Sequence, residues 1–173
     1  MLNKDEGTVV PSFCTTMELK QELSQQVDIL LQEFDLYLID IVINAGNEIE
    51  IHVDSDTGIK ISECKMLSRK IESWIHEEKG EDAEFSLTVG SPGIDVPLKL
   101  QRQYLKNKGR KLQITNQSGE KTEGKMIEVD DDKITLEWKE RVPKEIGKGK
   151  RTVTMTKDFV YSDIATAKVL ITF

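Results

Sequence analysis

The sequence predicts an α+β protein in two parts: an N-terminal two-layer domain ordered helix, strand, strand, helix, strand, then a small all-β barrel. Three observations carry this reading. Apolar residues switch between helical and strand periods up to Val89, and keep the strand period after Gly109. Two glycines and two prolines crowd residues 90–98 between those stretches. The charge also changes sign there. Residues 1–98 hold 7 Lys and Arg against 20 Asp and Glu, a net −13, whereas residues 99–173 hold 17 against 11, a net +6. A chain of 173 residues is long enough for two small domains.

The elements follow in order. Residues 1–16 have no periodicity and read as a flexible tail interrupted by Pro11; Met17, where the pattern opens, is a second candidate start codon. Leu19, Leu23, Val27, Leu30, Leu31 and Phe34 form one face of a helix. Tyr37, Ile39, Ile41 and Ile43 then alternate, Ala45-Gly46-Asn47 supplies a turn, and Ile49, Ile51 and Val53 alternate inward. Asp54 to Gly58 is turn chemistry. Ser62 is placed to cap a second helix, about 62–79, with Cys64, Leu67, Ile71, Trp74 and Ile75 as its stripe and Gly80 at its end. Phe85, Leu87 and Val89 make a third strand. With two helices on one face, residues 17–90 make a compact two-layer domain, KH-like in its order of elements.

Residues 91–98 read as a stiff interdomain elbow, and a short helical stretch leads to Gly109. Within 99–173, strands are expected around Leu112 and Ile114, Lys125–Val129, Ile134–Trp138, Val153–Met155 and Val169–Phe173, with a polar loop over Lys139–Lys150. Five short strands in so few residues suggest a closed barrel, since closure removes sheet edges. An SH3/Sm-like barrel is the first choice and an OB-fold the second. Trp138 and Phe159 are assigned to its core rather than to base stacking.

Catalytic and metal chemistry find little support. Cys14 and Cys64 are far apart, read as a tail thiol and a buried thiol, and offer no paired zinc ligands. Asp54 to Gly58 resembles the start of a calcium loop. Its glycine comes one position early, however, and Lys65 stands where a bidentate Glu is required. His52 and His76 read as solvated surface residues without a nucleophile in suitable spacing. Gly90 to Gly93 matches the G-x-x-G string of KH domains, but follows a strand and contains Pro92. Phosphate loops and dinucleotide fingerprints are missing from the sequence. No cofactor is therefore expected.

The site-like feature is basic. Lys106, Lys108, Arg110 and Lys111 precede the first barrel strand. Arg141, Lys144, Lys148, Lys150 and Arg151 surround a glycine-bearing loop. Such groups contact phosphates without reading sequence. The acidic half suits a basic protein instead.

The segment Ser91-Pro92-Gly93-Ile94-Asp95-Val96-Pro97-Leu98 resembles the S-P-G-[LI]-D-x-P-L signature joining the two domains of the bacterial ribosome maturation factors of the RimP family. Asp54, Gly58, Cys64, Ser68 and Arg69 resemble that family's D…G…C…SR stretch, and Gly109 and Ile164…Ala167-Lys168-Val169 also fit. Val96 departs from the pattern, where many members carry Arg, and residues 1–16 lie outside it. The resemblance implies a non-enzymatic, cofactor-free protein that binds free small ribosomal subunits and promotes their late maturation. Its partners would be small-subunit RNA and proteins. Neither a membrane nor a small-molecule substrate is expected, and the chain is expected to be a cytoplasmic monomer. In the elbow, Ser91, Pro92, Gly93, Asp95 and Pro97 would set the domain angle, Gly93 through a positive φ and Asp95 through backbone hydrogen bonds. The competing readings are an Sm-like module acting on small or messenger RNA, and a hydrolase built on His52.

Overall fold

The computed structural model describes residues 13–145 and 148–171, with side chains from Met17 onward. The chain divides into two compact units, Met1–Ser91 and Pro92–Phe173.

In the first unit, α1 (Phe13–Leu31), β1 (Tyr37–Asn44), β2 (Glu48–Asp54), α2 (Ile61–Lys79) and β3 (Ser86–Gly90) follow in the expected order. Helix α1 begins before Met17. Residues 1–12 of the expected tail, and the side chain of Cys14, lie outside the described residues. The sheet runs β1-β2-β3. β1 and β2 form an antiparallel hairpin, and β3 joins β2 in parallel. Gly46 and Asn47 take positive φ (82° and 58°) at the hairpin turn, residue types that tolerate it. Leu23 and Val27 of α1, Leu67 and Ile71 of α2, and Ile51 and Val53 of β2 are wholly buried in one core. Burying each Leu or Ile stabilises the fold by about 1.5–3 kcal/mol.

Three local expectations are corrected. The β1 register shifts between Leu38 and Asp40, which oppose consecutive residues Val53 and His52. Ile39 is therefore the extra residue of a bulge, and Leu38 rather than Ile39 packs on the core. At α2, Lys60 rather than Ser62 occupies the N-cap; its backbone N–H donates to Glu63 Oε2 at 3.0 Å. Cys64 is half-buried, not buried, because it sits at the margin of the stripe centred on Leu67 and Ile71. Gly80 ends α2 as expected, with φ 97° and its N–H on the His76 carbonyl.

The second unit holds α3 (Gln101–Lys106) and five strands: β4 (Lys111–Asn116), β5 (Lys121–Val129), β6 (Lys133–Pro143), β7 (Lys150–Val160) and β8 (Ile164–Val169). A single 3-10 turn, Tyr161–Asp163, connects the last two. All neighbours in the order β7-β6-β5-β4-β8 are antiparallel. Leu112, Ile114, Met126, Ile134 and Leu136 are wholly buried, with Phe159 at 5% and Trp138 packed against them, so both aromatics serve the core.

Strands extend further here than periodicity suggested. Half of the supposed loop Lys139–Lys150 is ladder, because β6 and β7 pair from Lys133–Val160 out to Pro143–Lys150, and residues 146–147 lie outside the described residues. A polar residue still donates and accepts along a ladder, so polarity alone does not end a strand. The closing strand also begins earlier than the expected Val169–Phe173, at Ile164, and residues 172–173 lie outside the described residues. Ala167 opposes Ile114 and is 1% exposed, while Ile171 is 60% exposed. The small Ala167 side chain hid this core position from a pattern of large apolar residues.

Candidate nucleic-acid interface

The basic residues owe their placement to turns and strand alternation. Lys106 ends α3, and Lys108 follows in an exposed turn. Gly109, with φ 86°, sends its N–H to the Met126 carbonyl at 2.8 Å, and Met126 returns an N–H to Arg110 at 2.9 Å. These two bonds extend the β4–β5 pairing and fix Arg110 beside β5. At the other end, Lys144 N–H donates to Gly149 O at 3.1 Å and closes the β6–β7 tip that presents Lys144 and Lys148.

Opposed residues of an antiparallel pair share a face, and alternate residues along a strand share it too. Arg141 opposes Thr152, Lys139 opposes Thr154 and Glu137 opposes Thr156, while Pro143 opposes Lys150. Across the sheet, Glu137 opposes Lys125, which opposes Lys111. One face therefore carries Lys150, Arg141 and Lys139 along the hairpin and then, past Glu137, Lys125 and Lys111 across the neighbouring strands toward Arg110. The register thus puts Lys111 of the first predicted cluster on the same face as Arg141 and Lys150 of the second. Lys125 and Lys139, missed by reading runs of charge, connect them. Strict alternation of Thr152, Thr154 and Thr156 was the signal that could have found this face.

Not every predicted residue joins. Arg151 opposes Val142, on the other face of the ribbon, and its guanidinium pairs with Glu145 Oε1 at 2.7 Å. Lys111 is already neutralised by Glu123 Oε2 at 3.0 Å. Its ammonium, with a further hydrogen bond from Gln113, holds the Glu123 carboxyl below its usual range. Beside this pair, Arg110, Lys125, Trp138 and Lys139 border an open depression of about 590 Å³. Gly124 lies in its wall. A Cβ there would come within 2.9 Å of the Glu137 carbonyl oxygen, so only glycine lets β5 approach β6 so closely.

Residues 16–95 match the RimP N-terminal domain. The "Ribosome maturation factor RimP" of Christiangramia forsetii is 41% identical over 156 residues, covering 90% of this chain and 99% of the relative. The chain belongs to the RimP family. The identically named protein of Flavobacterium psychrophilum is 40% identical over 91% of this chain and all of its own length. That of Porphyromonas gingivalis is 32% identical over 86% of this chain and 95% of its own.

The stretches that suggested the RimP family have defined structures. Asp54 Oδ1 accepts the Ser55 N–H at 2.9 Å, and Ser55 Oγ donates to Gly58 O at 3.2 Å, which ties the turn before α2. Cys64, Ser68 and Arg69 lie on α2 beside β3, in an open groove. Burial raises the pKa of the Cys64 thiol. His52 is on the face of the first sheet opposite the helices, with Nε2 at 3.5 Å from Glu50 Oε2; Asn44 also donates to Glu50. His76 packs against Phe85, ring centroids 5.2 Å apart.

In the elbow, the Val96 N–H donates to Gly93 O at 3.0 Å and makes a backbone turn. The Leu98 N–H donates to Ala167 O at 2.8 Å and anchors the segment to β8. Two expectations are corrected here. Gly93 is not among the glycines with positive φ, and no atom lies within 4 Å of a Cβ built on it. Asp95 is exposed and the turn is closed by backbone groups rather than by its carboxylate. No helix among the described residues is long and apolar enough to cross a membrane.

Proposed function

We propose that this protein is a non-catalytic ribosome maturation factor that binds the free small ribosomal subunit and assists its late assembly in the cytoplasm. The observation that carries the reading is the set of cations on one face of the second sheet, Lys150, Arg141, Lys139 and Lys125, in a chain whose relatives are named ribosome maturation factors. Cations spaced along one face follow a phosphate backbone and gain affinity by releasing its counterions. The neighbouring threonine hydroxyls donate further hydrogen bonds to phosphate oxygens. The five antiparallel strands with a 3-10 turn before the last support an SH3/Sm-like barrel as the platform, and helix–strand order supports a KH-like first domain. RNA contact is assigned to the basic unit, protein contact to the acidic one. The elbow residues Ser91, Pro92, Gly93, Asp95 and Pro97 link them, with the prolines limiting the chain's freedom.

Sedimentation of a cell extract through sucrose tests the assignment. The protein should travel with free small subunits and be missing from complete ribosomes. In a purified system, Lys144→Glu, Lys148→Glu and Lys150→Glu together should weaken binding and flatten its salt dependence. Each lost phosphate contact should lower the slope of log K against log salt by about 0.7–0.9. An unchanged slope would remove the hairpin from the contact surface.

A further inference from the structure

Strand β3 ends the first sheet, since the order is β1-β2-β3 and no further strand pairs with it among the described residues. The direction of its free groups follows from one bond. Ser86 N–H donates to Asn47 O on the β2 side at 3.1 Å. Backbone groups alternate sides along a strand, so the N–H and C=O of Thr88 also face β2, and those of Leu87 and Val89 face outward. Native sheets usually blunt such an edge with a charge, a bulge or a cover. Here the edge borders a groove of about 540 Å³ between β3 and α2.

The groove has an apolar floor and a polar rim. Leu87 and Val89 line it from the strand, and Ile61 and Cys64 from the helix; Ile61 is 88% exposed. Lys65 and Arg69 stand on the rim, both exposed and neither in an ion pair among the described residues. The carboxylate beside them, Glu72, accepts from Ser68 Oγ at 3.4 Å. Two cations that make no ion pair with the Glu72 carboxylate beside them are conspicuous in a unit whose net charge is strongly negative.

We propose that this groove is a peptide-docking site, in which an extended segment of a partner protein adds a strand to β3. The outward N–H and C=O groups of Leu87 and Val89 supply the backbone pairing. Alternate apolar side chains of the segment settle on Ile61, Cys64, Leu87 and Val89. A carboxylate of the segment, from Asp, Glu or a chain terminus, meets Lys65 and Arg69. Strand addition beside a helix joins unselective backbone bonding with side-chain pockets that select the sequence. The site uses residues that the RNA-binding surface does not. It rests on the proposed function only for where such a partner is met.

The test is selection of a random peptide library displayed on phage against the full-length protein, with the Lys65→Glu, Arg69→Glu double variant as the parallel target. Enriched peptides should carry alternating apolar residues and at least one carboxylate. The double variant, altered only at exposed positions, should bind them about tenfold more weakly or worse, a loss of about 1.4 kcal/mol or more. In amide NMR spectra, the best peptide should shift Leu87 and Val89 and slow their hydrogen exchange. Val89→Pro, which deletes an outward N–H, should abolish the binding while the far-ultraviolet spectrum stays that of the parent. Failure to enrich over the double variant overturns the proposal, as does a bound peptide that shifts amides elsewhere. So does a short oligouridine that moves the same amides more strongly than any peptide, which would make the groove a nucleic-acid site. Loss of peptide binding with normal co-sedimentation on small subunits would separate this site from the ribosomal contact.

Discussion

Single residues hold the second unit at points where a simple polar or apolar label is uninformative. Gln103 is 3% exposed, and its Oε1 accepts the N–H groups of Lys99 (2.7 Å) and Leu100 (2.9 Å) at the start of α3. Gln103→Leu keeps the volume but strands both donors, so unfolding in urea should show a loss of about 1–3 kcal/mol. Gly124→Val drives a side chain into the β6 backbone, at a cost of about 1–3 kcal/mol by the same measurement. Asp158 accepts from Lys133 Nζ (2.6 Å) and Thr135 Oγ (2.8 Å), and these bonds lower its pKa in that order. Its stabilising contribution is present above the unfolded value, about 3.9, and fades as pH falls through the lower folded one. The pair also raises the Lys133 pKa, so that contribution is present below the unfolded lysine value and is lost as pH rises through the folded one. The melting-temperature difference between parent and Asp158→Asn should therefore be open at neutral pH and close on acidification below about pH 4.

At the scale of elements, the β6–β7 hairpin decides what the basic residues mean. As a loop, its charges would be a mobile cloud. As an eleven-residue pair of strands, they divide between two faces, with Arg141 beside Lys139 and Lys150, and Arg151 behind them. Arg141→Glu should therefore weaken RNA or subunit binding clearly more than Arg151→Glu, which chiefly breaks an exposed pair with Glu145. Equal losses in a filter-binding titration would contradict the two-faced ribbon. Helices were easier to read from sequence than this hairpin. A stripe such as Leu23, Val27 and Leu30 repeats over several turns, whereas the bulge at Ile39 inverts the alternation within one residue.

For the whole molecule, the charge split and the fold tell one story: an acidic unit with an open strand edge, and a basic unit with a cationic face. The protein should be monomeric by static light scattering; a ring-sized mass would favour the independent Sm-like RNA module. Gly93→Ala should leave stability and subunit binding unchanged, because the position has room and needs no left-handed backbone.

The sequence by itself determined the two-part α+β order, the helical stripes and most buried positions. Those are local: periodicity, turn chemistry and side-chain size are written along the chain. The RimP resemblance was legible for the same reason, in short contiguous motifs. Tertiary structure alone decided that β3 lies at an edge with the backbone N–H and C=O groups of Leu87 and Val89 facing outward. It also aligned Lys111, Lys125, Lys139, Arg141 and Lys150 on one face and left Arg151 off it. Strand order and register join residues far apart in sequence, and a slip of one residue reverses every face, so a local alternation such as Thr152, Thr154 and Thr156 marks a face on one strand but not its neighbours across the sheet.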